Sequence, residues 1–289
     1  CPGRAQDAAV DIHSRRPVEC TRWEIAAWNF QGPLLIPPGI RSQLASPAAH
    51  CWVKMQTERI VVVGGGNGAL AFAAYFGLQG IPVRLWEFPA FRKNLAAVYQ
   101  HQRLRASGAL GGETAVECYE ELTEALRDAT LIMVVVPAFA HATVAEYLAP
   151  LVREPMIVVL NPGRTGGALE VSAILHQGGA QVPVAEAQSL LFACRRRGEQ
   201  EIHVGGIKTM MRVGIFPATR TEEVMARLSG VCPLFRPVPD VLTTSLGNIG
   251  AMFHPASALL NVGLIESGRS YDYYPETMSR RVAKVIEKA

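Results

Sequence analysis

Arg59-Ile60-Val61-Val62-Val63-Gly64-Gly65-Gly66-Asn67-Gly68-Ala69 carries the pattern from which the fold of this chain follows. Four consecutive β-branched or aliphatic residues with no polar break predict a strand buried on both faces. Glycines then turn the chain, and Leu70-Ala71-Phe72-Ala73-Ala74-Tyr75-Phe76 continues as a helix to about Gln79. Gly80 ends that helix, and Pro82–Glu87 reads as the next strand. In a dinucleotide fingerprint the first glycine permits the tight turn and the second lets a pyrophosphate approach the backbone. The third position must be small, so that helix and strand pack closely. Gly64, Gly66 and Ala69 fill these places, with Asn67 and Gly68 at the helix start. There the free N–H groups and the positive dipole end favour a diphosphate.

Glu87 lies twenty-one residues beyond Gly66, at the end of the second strand. A carboxylate at that point accepts hydrogen bonds from ribose hydroxyls and repels a 2′-phosphate, which favours NAD. Arg92 and Lys93 follow closely and suit a 2′-phosphate, so NADP stays open as the alternative.

Outward from this unit the alternation continues. Phe91–Arg105 reads as a helix, Thr114–Tyr119 as a strand, Glu120–Asp128 as a helix, and Leu131–Val136 as a buried strand closed by Pro137. His141–Val152 follows as a helix, then strand Met156–Leu160, helix Thr165–His176 and strand Val182–Glu186. Ile202–Val204 and Lys208–Phe216 read as further strands and Arg220–Leu228 as a helix. Strands alternating with helices of this length predict parallel pairing with right-handed crossovers. The expected fold class is α/β, a doubly wound and mostly parallel Rossmann sheet, followed by the start of an all-helical second domain. The expected boundaries are a poorly structured extension at 1–54, a dinucleotide-binding domain at 55–238 and a helical segment at 239–289. The extension holds three of the four tryptophans but no sustained period; docking of Trp23 and Trp28 on the main domain is the other reading of it.

With 289 residues, about half of them hydrophobic, the chain can bury a core without staples. A net charge of +3, without basic residues interleaved with aromatics, argues against nucleic acid. Arg195-Arg196-Arg197 reads as a solvated loop. Six cysteines without metal-ligand spacing exclude a zinc pattern and fit a reducing, cytoplasmic compartment. No apolar run reaches the roughly 20 residues that span a bilayer. Small molecules are the expected partners, and association into oligomers is left open.

Pro137 and Asn161 end the fourth and fifth strands, where they position the chain beside the nicotinamide end. The candidate for proton chemistry is His254, because imidazole changes charge near neutral pH and can hand a proton to a substrate that receives a hydride. Asn248, six residues earlier, can hydrogen-bond a substrate carboxylate or the nicotinamide amide. A histidine before a proline at a helix boundary is also a common structural feature, and spacing does not choose between the two.

Gly64–Ala69, Val83–Glu87 with Phe88-Pro89, Asn161-Pro162-Gly163 and Glu186-Ala187-Gln188 together resemble the opine dehydrogenases, the octopine/nopaline dehydrogenase family. So do Ala193-Cys194-Arg195, Asn248 through His254-Pro255, and Tyr273-Tyr274 running into Val282–Glu287. The resemblance covers the chain from Met55 onward. It implies an enzyme that condenses an amino acid with a 2-keto acid and reduces the imine with NAD(P)H, with His254 as the acid/base. It further implies an Asp partner for that histidine in a helical domain. The chain stops soon after the histidine, so the expectation is a fragment lacking that acid. Arg195 would hold a substrate carboxylate, because a planar guanidinium grips such a group with two parallel bonds. Two other readings stand: a related hydroxy-acid or ketopantoate-type dehydrogenase, and a dinucleotide-binding sensor or inactive paralogue. The former class uses a helical lysine, whereas no lysine lies between Lys208 and Lys284.

Overall fold

In the computed structural model, residues 58–271 and 276–288 are described. The expected extension with Cys1, Cys20 and Cys51, and the Tyr273-Tyr274 pair, therefore lie outside the described residues.

The described chain opens with strand β1 (Ile60–Val63), helix α1 (Asn67–Leu78) and strand β2 (Val83–Trp86). Two short helices, α2 (Pro89–Arg92) and α3 (Ala96–His101), precede strands β3 (Arg103–Gly108), β4 (Gly112–Ala115) and β5 (Glu117–Tyr119). Helix α4 (Leu122–Ala125), β6 (Leu131–Val134), α5 (His141–Leu148), β7 (Ile157–Leu160), α6 (Gly167–Gln177) and β8 (Val184–Ala187) complete the alternating part. Strands β9 (Phe192–Arg196), β10 (Glu201–Ile207) and β11 (Met211–Phe216) are followed by α7 (Thr221–Val231) and β12 (Phe235–Pro237).

The main sheet has eight strands in the order β12-β11-β8-β7-β6-β1-β2-β5. From β5 to β8 all neighbours pair in parallel, whereas β11 runs antiparallel to β8. Strand order reverses direction at β1, between β2 and β6, which is the switch point of a doubly wound sheet. Its two faces bury separate cores. Ile60 and Val62 face one, while Val61 and Val63 face the other, as the period of a strand requires.

A second sheet was not anticipated. It has four strands in the order β4-β3-β10-β9 and lies against α1. This explains why α1 is apolar all round, with Ala69 to Ala74 and Phe76 fully buried between two sheets. Three expectations are corrected here. The helix expected to run to Arg105 ends where Gln102 turns left-handed, and Leu104 and Ala106 then alternate with exposed Arg103 and Arg105 as a strand. The single strand expected at Thr114–Tyr119 is two, β4 in the second sheet and β5 in the main one. The arginine run is no loop. Arg195 and Arg196 belong to β9, whose Phe192 packs edge-on to Phe72 of α1 at 4.8 Å.

Helical character begins with α8 (Val241–Leu246), which Asp240 caps through the Thr243 amide at 2.9 Å. Helix α8 packs on β11 and β8, and the compact unit built on the main sheet extends to Pro255, inside helix α9 (Gly250–Leu259). A second compact unit takes Ala256–Ala289. Within it lie α10 (Val262–Glu266) and α11 (Arg280–Ile286); Asn261 Nδ2 donates to the carbonyls of Ser257 and Thr277, and Ser279 caps α11. Among the described residues no helix is long and apolar enough to cross a membrane.

Candidate functional site

The loops leaving the carboxyl ends of β1, β2, β6, β7 and β8 lie along one edge of the main sheet, because these strands are parallel. Gly64 has φ +119°, and its amide donates to Trp86 O at 2.9 Å. A Cβ there would sit 2.6 Å from Val135 O. At Gly65 it would meet Leu95 and the Glu87 carboxylate, and at Gly68 the side chains of Leu190 and Val135. At Gly66 it would meet nothing within 4 Å. The turn is thus closed on its protein side and open at one point, above the first turn of α1. Gly66 is also the N-cap, with no side chain covering the helix end. A dinucleotide pyrophosphate fits this opening.

Glu87 is almost buried at the end of β2. Its carboxylate accepts from the Phe88 amide at 2.7 Å and from the Gly65 amide. Burial pushes its carboxyl above the usual range despite these bonds. Arg92 is committed elsewhere, with its guanidinium on the Glu120 carboxylate at 3.2 Å and near the Tyr99 ring.

Asn67 does something its motif does not announce. Its Oδ1 accepts from the Arg196 amide at 2.9 Å, tying the glycine turn to β9 across 129 residues of sequence. The Arg196 guanidinium donates to the carbonyls of Asn94, Gly198 and Glu199. These residues wall a cleft of about 630 Å³ over Gly65, Gly66 and Asn67. Arg195 is exposed on the other face of β9, opposite His203. Among the described residues no hydrogen bond or ion pair joins it to Asn248 or His254.

Pro137 starts a short turn after β6 and is exposed. Asn161 is buried after β7; its Nδ2 donates to Val159 O at 3.1 Å, while its Oδ1 is buried without a partner. His141 is likewise buried at the start of α5. Burial lowers its imidazole pKa, and its Nε2 has no partner. Glu186 reads in sequence as a strand end and as part of a resemblance, without a role of its own, yet it organises the edge. Fully buried on β8, it accepts from the Ala168 amide at 2.8 Å, from Ser245 Oγ at 2.9 Å and from Thr244 Oγ1. Ser245 Oγ in turn accepts from the Gly166 amide at 3.0 Å. Helix α8 is thereby fixed to the loop after β7.

That attachment carries Asn248 and His254 to the same edge. Gln188 Nε2 donates to Gly247 O, and Asn248 Nδ2 to Thr165 Oγ1 at 3.3 Å. A Cβ at Gly250 would lie 3.3 Å from Asn248 Oδ1 and 3.4 Å from both Arg164 Nη1 and His254 Cδ2. Arg164 was missed in sequence, where nothing marks it apart from its place two residues after Asn161-Pro162. The described cysteines are free and partly or fully buried. Burial pushes the Cys118 thiol up to about 12 and those of Cys194 and Cys232 to about 11, so none is poised as a nucleophile. Among the described residues no cluster could hold a metal ion.

A doubly wound sheet with this glycine turn defines a nicotinamide-dinucleotide-binding domain. A family model described as the NAD-dependent glycerol-3-phosphate dehydrogenase N-terminus matches residues 59–169, and one described as the NAD/NADP octopine/nopaline dehydrogenase alpha-helical domain matches 237–289. The chain is 35% identical to the opine dehydrogenase of Arthrobacter sp. (strain 1C) over 81% of its own length and 66% of that protein. It is 25% identical to the octopine dehydrogenase of Mizuhopecten yessoensis over 62% of its length and 48% of that protein. In fold it is similar to yersinopine dehydrogenase bound to NADP+, with a TM-score of 0.61 at 18% identity, over 71% of this chain and 53% of that one. The chain belongs to the opine dehydrogenase family. It spans between about half and two thirds of the length of these relatives.

Proposed function

We propose that this chain serves the NAD(P)H-dependent reduction of an imine formed from an amino acid and a 2-keto acid, or the reverse oxidation. The observation that carries the reading is the fixing of the Asn248–His254 segment, through Gln188 and Thr165, to the strand edge that bears the glycine turn. The relatives named above support the reaction class. When bound, the dinucleotide supplies the hydride that a carbon–nitrogen double bond accepts. His254 gives a proton to the keto oxygen as the amine adds, takes one back from the nitrogen and returns it to the oxygen, which leaves as water. The carbon of the protonated imine then accepts the hydride, the nitrogen becomes a neutral secondary amine, and His254 regains its proton from solvent. Asn248 orients a substrate carboxylate by hydrogen bonding. Glu87 receives the adenosine ribose hydroxyls, so NADH is the preferred donor. The reaction fits a cytoplasmic setting, where reduced cofactor and both substrates meet.

The test is NADH consumption with pyruvate and a panel of amino acids. Rates should need both substrates, and His254→Asn should lower them by about a hundredfold or more. A rate with pyruvate alone that equals the rate with amine present would overturn the assignment.

A further inference from the structure

We infer that Arg164 is the anchor for the carboxylate of the 2-keto acid, holding the carbon to be reduced beside His254. This rests on the function proposed above and assigns it a residue.

The position argues first. Arg164 Nη1 and His254 Cδ2 each lie 3.4 Å from the same point at Gly250, so they stand within about 7 Å of one another. Two hydrogen bonds of about 2.9 Å, joined by the span from carboxylate oxygen to keto oxygen of a 2-keto acid, reach farther than that, so one substrate can touch both groups. Asn248 Oδ1, 3.3 Å from that point, completes the cluster.

The backbone argues next. Arg164 adopts φ 62°, a left-handed conformation that side-chain-bearing residues seldom take. The loop holding it there is pinned on both sides. Gly163 N donates to Ala187 O at 3.0 Å, Gly166 N to Ser245 Oγ at 3.0 Å and Ala168 N to buried Glu186 at 2.8 Å. Non-glycine residues in such conformations cluster at ligand sites, where the surrounding structure fixes them.

Charge argues last. Arg164 forms no ion pair with any described carboxylate. Instead its field acts on other basic groups. After burial, it helps to lower the pKa of the Lys208 ammonium and of the His141 imidazole. An exposed guanidinium among other bases, with no acid of its own, attracts an anion. Arg196 differs, since its guanidinium is taken up by three backbone carbonyls.

The test uses the full chain saturated with NADH, into which pyruvate is titrated while cofactor fluorescence is read. Arg164→Gln should weaken pyruvate at least about tenfold, with Arg164→Lys between the two. NADH affinity should stay the same in all three. Methyl pyruvate, which lacks the charge, should bind native and variant protein alike; an equal loss for the ester would mean a structural role and overturn the assignment. So would pyruvate affinity unchanged in Arg164→Gln, or native NADH complex that takes no pyruvate. Failure of the native chain to bind NADH would instead bring down the dinucleotide reading, and this assignment with it.

Discussion

The two ends of the main sheet are built on opposite principles. At the amino ends of β1, β6 and β7, polar groups are fully matched. Glu58 receives Arg227 Nε and Nη2, both at 2.8 Å, and the Thr130 hydroxyl at 2.6 Å. Arg227 also donates to the carbonyls of Thr130 and Pro155. At the carboxyl ends, Asn161 Oδ1 and His141 Nε2 are buried without partners, and Gly64 and Arg164 have positive φ. Large apolar side chains stand in the open there, Phe139 at 89% and Leu246 at 83% exposure. Stability is concentrated at one end of the strands and unspent binding capacity at the other. A pair of glutamates records the same contrast. Burial raises the pKa of Glu58, but its hydrogen bonds and the Arg227 charge outweigh that, so its pKa is lowered. At Glu87 burial prevails and the pKa is raised.

The comparison would be most strained by Glu186, which sits at the functional end yet is satisfied like a group at the other. Glu186→Ala leaves the Ser245 hydroxyl and the Ala168 amide without this acceptor, while the Thr244 hydroxyl keeps only Val241 O. It should cost about 3 kcal/mol in urea unfolding and also displace Asn248 and His254, abolishing turnover. Arg227→Ala should cost about 2 kcal/mol while leaving NADH affinity untouched; weakened NADH binding would break the division between the ends. Native stability supplied by Glu58 is present above the normal carboxylate pKa and fades as pH falls through its lowered one, and Arg227→Ala should weaken that acid dependence.

Gly64 and Gly66 separate fold from binding within a single turn. Gly66→Ala should weaken NADH about tenfold or more in a fluorescence titration, at little cost to unfolding, because its Cβ enters only the space a phosphate would use. Gly64→Ala should lose binding and also about 1–3 kcal/mol of stability, from the clash with Val135 O and the positive φ. The smallest effect belongs to Glu87→Gln. The native carboxyl, with its raised pKa, makes stability decline as pH rises from the normal carboxylate value through the raised one. The amide should flatten that decline in thermal melts at stepped pH, and it should narrow the preference for NADH over NADPH.

The parallel sheet and its glycine turn were legible because their signals are local: a β-branched run, a turn and an acid at fixed offsets. His254 and Asn248 stood as candidates in the sequence, but a resemblance had to raise the histidine above a structural reading. The second sheet was hidden because β3, β4 and β9 are short and carry arginine or glycine at positions that read as helix end or loop. Pairing partners nearly a hundred residues apart, such as Arg105 with Glu201, leave no local period. Arg164 and Glu186 escaped for a related reason. Their surroundings are assembled from β7, β8 and α8, and nothing within a few residues of either hints at the others.

The bond between Asn67 and Arg196 gives the small sheet a part in shaping the cleft over the glycine turn. Because the floor of the cleft is latched to its roof, a lengthened or shortened hairpin at Gly198–Gln200 should reshape its mouth without disturbing a single parallel strand. Cofactor preference in this architecture can therefore drift through a peripheral turn while the glycine signature stays letter for letter the same.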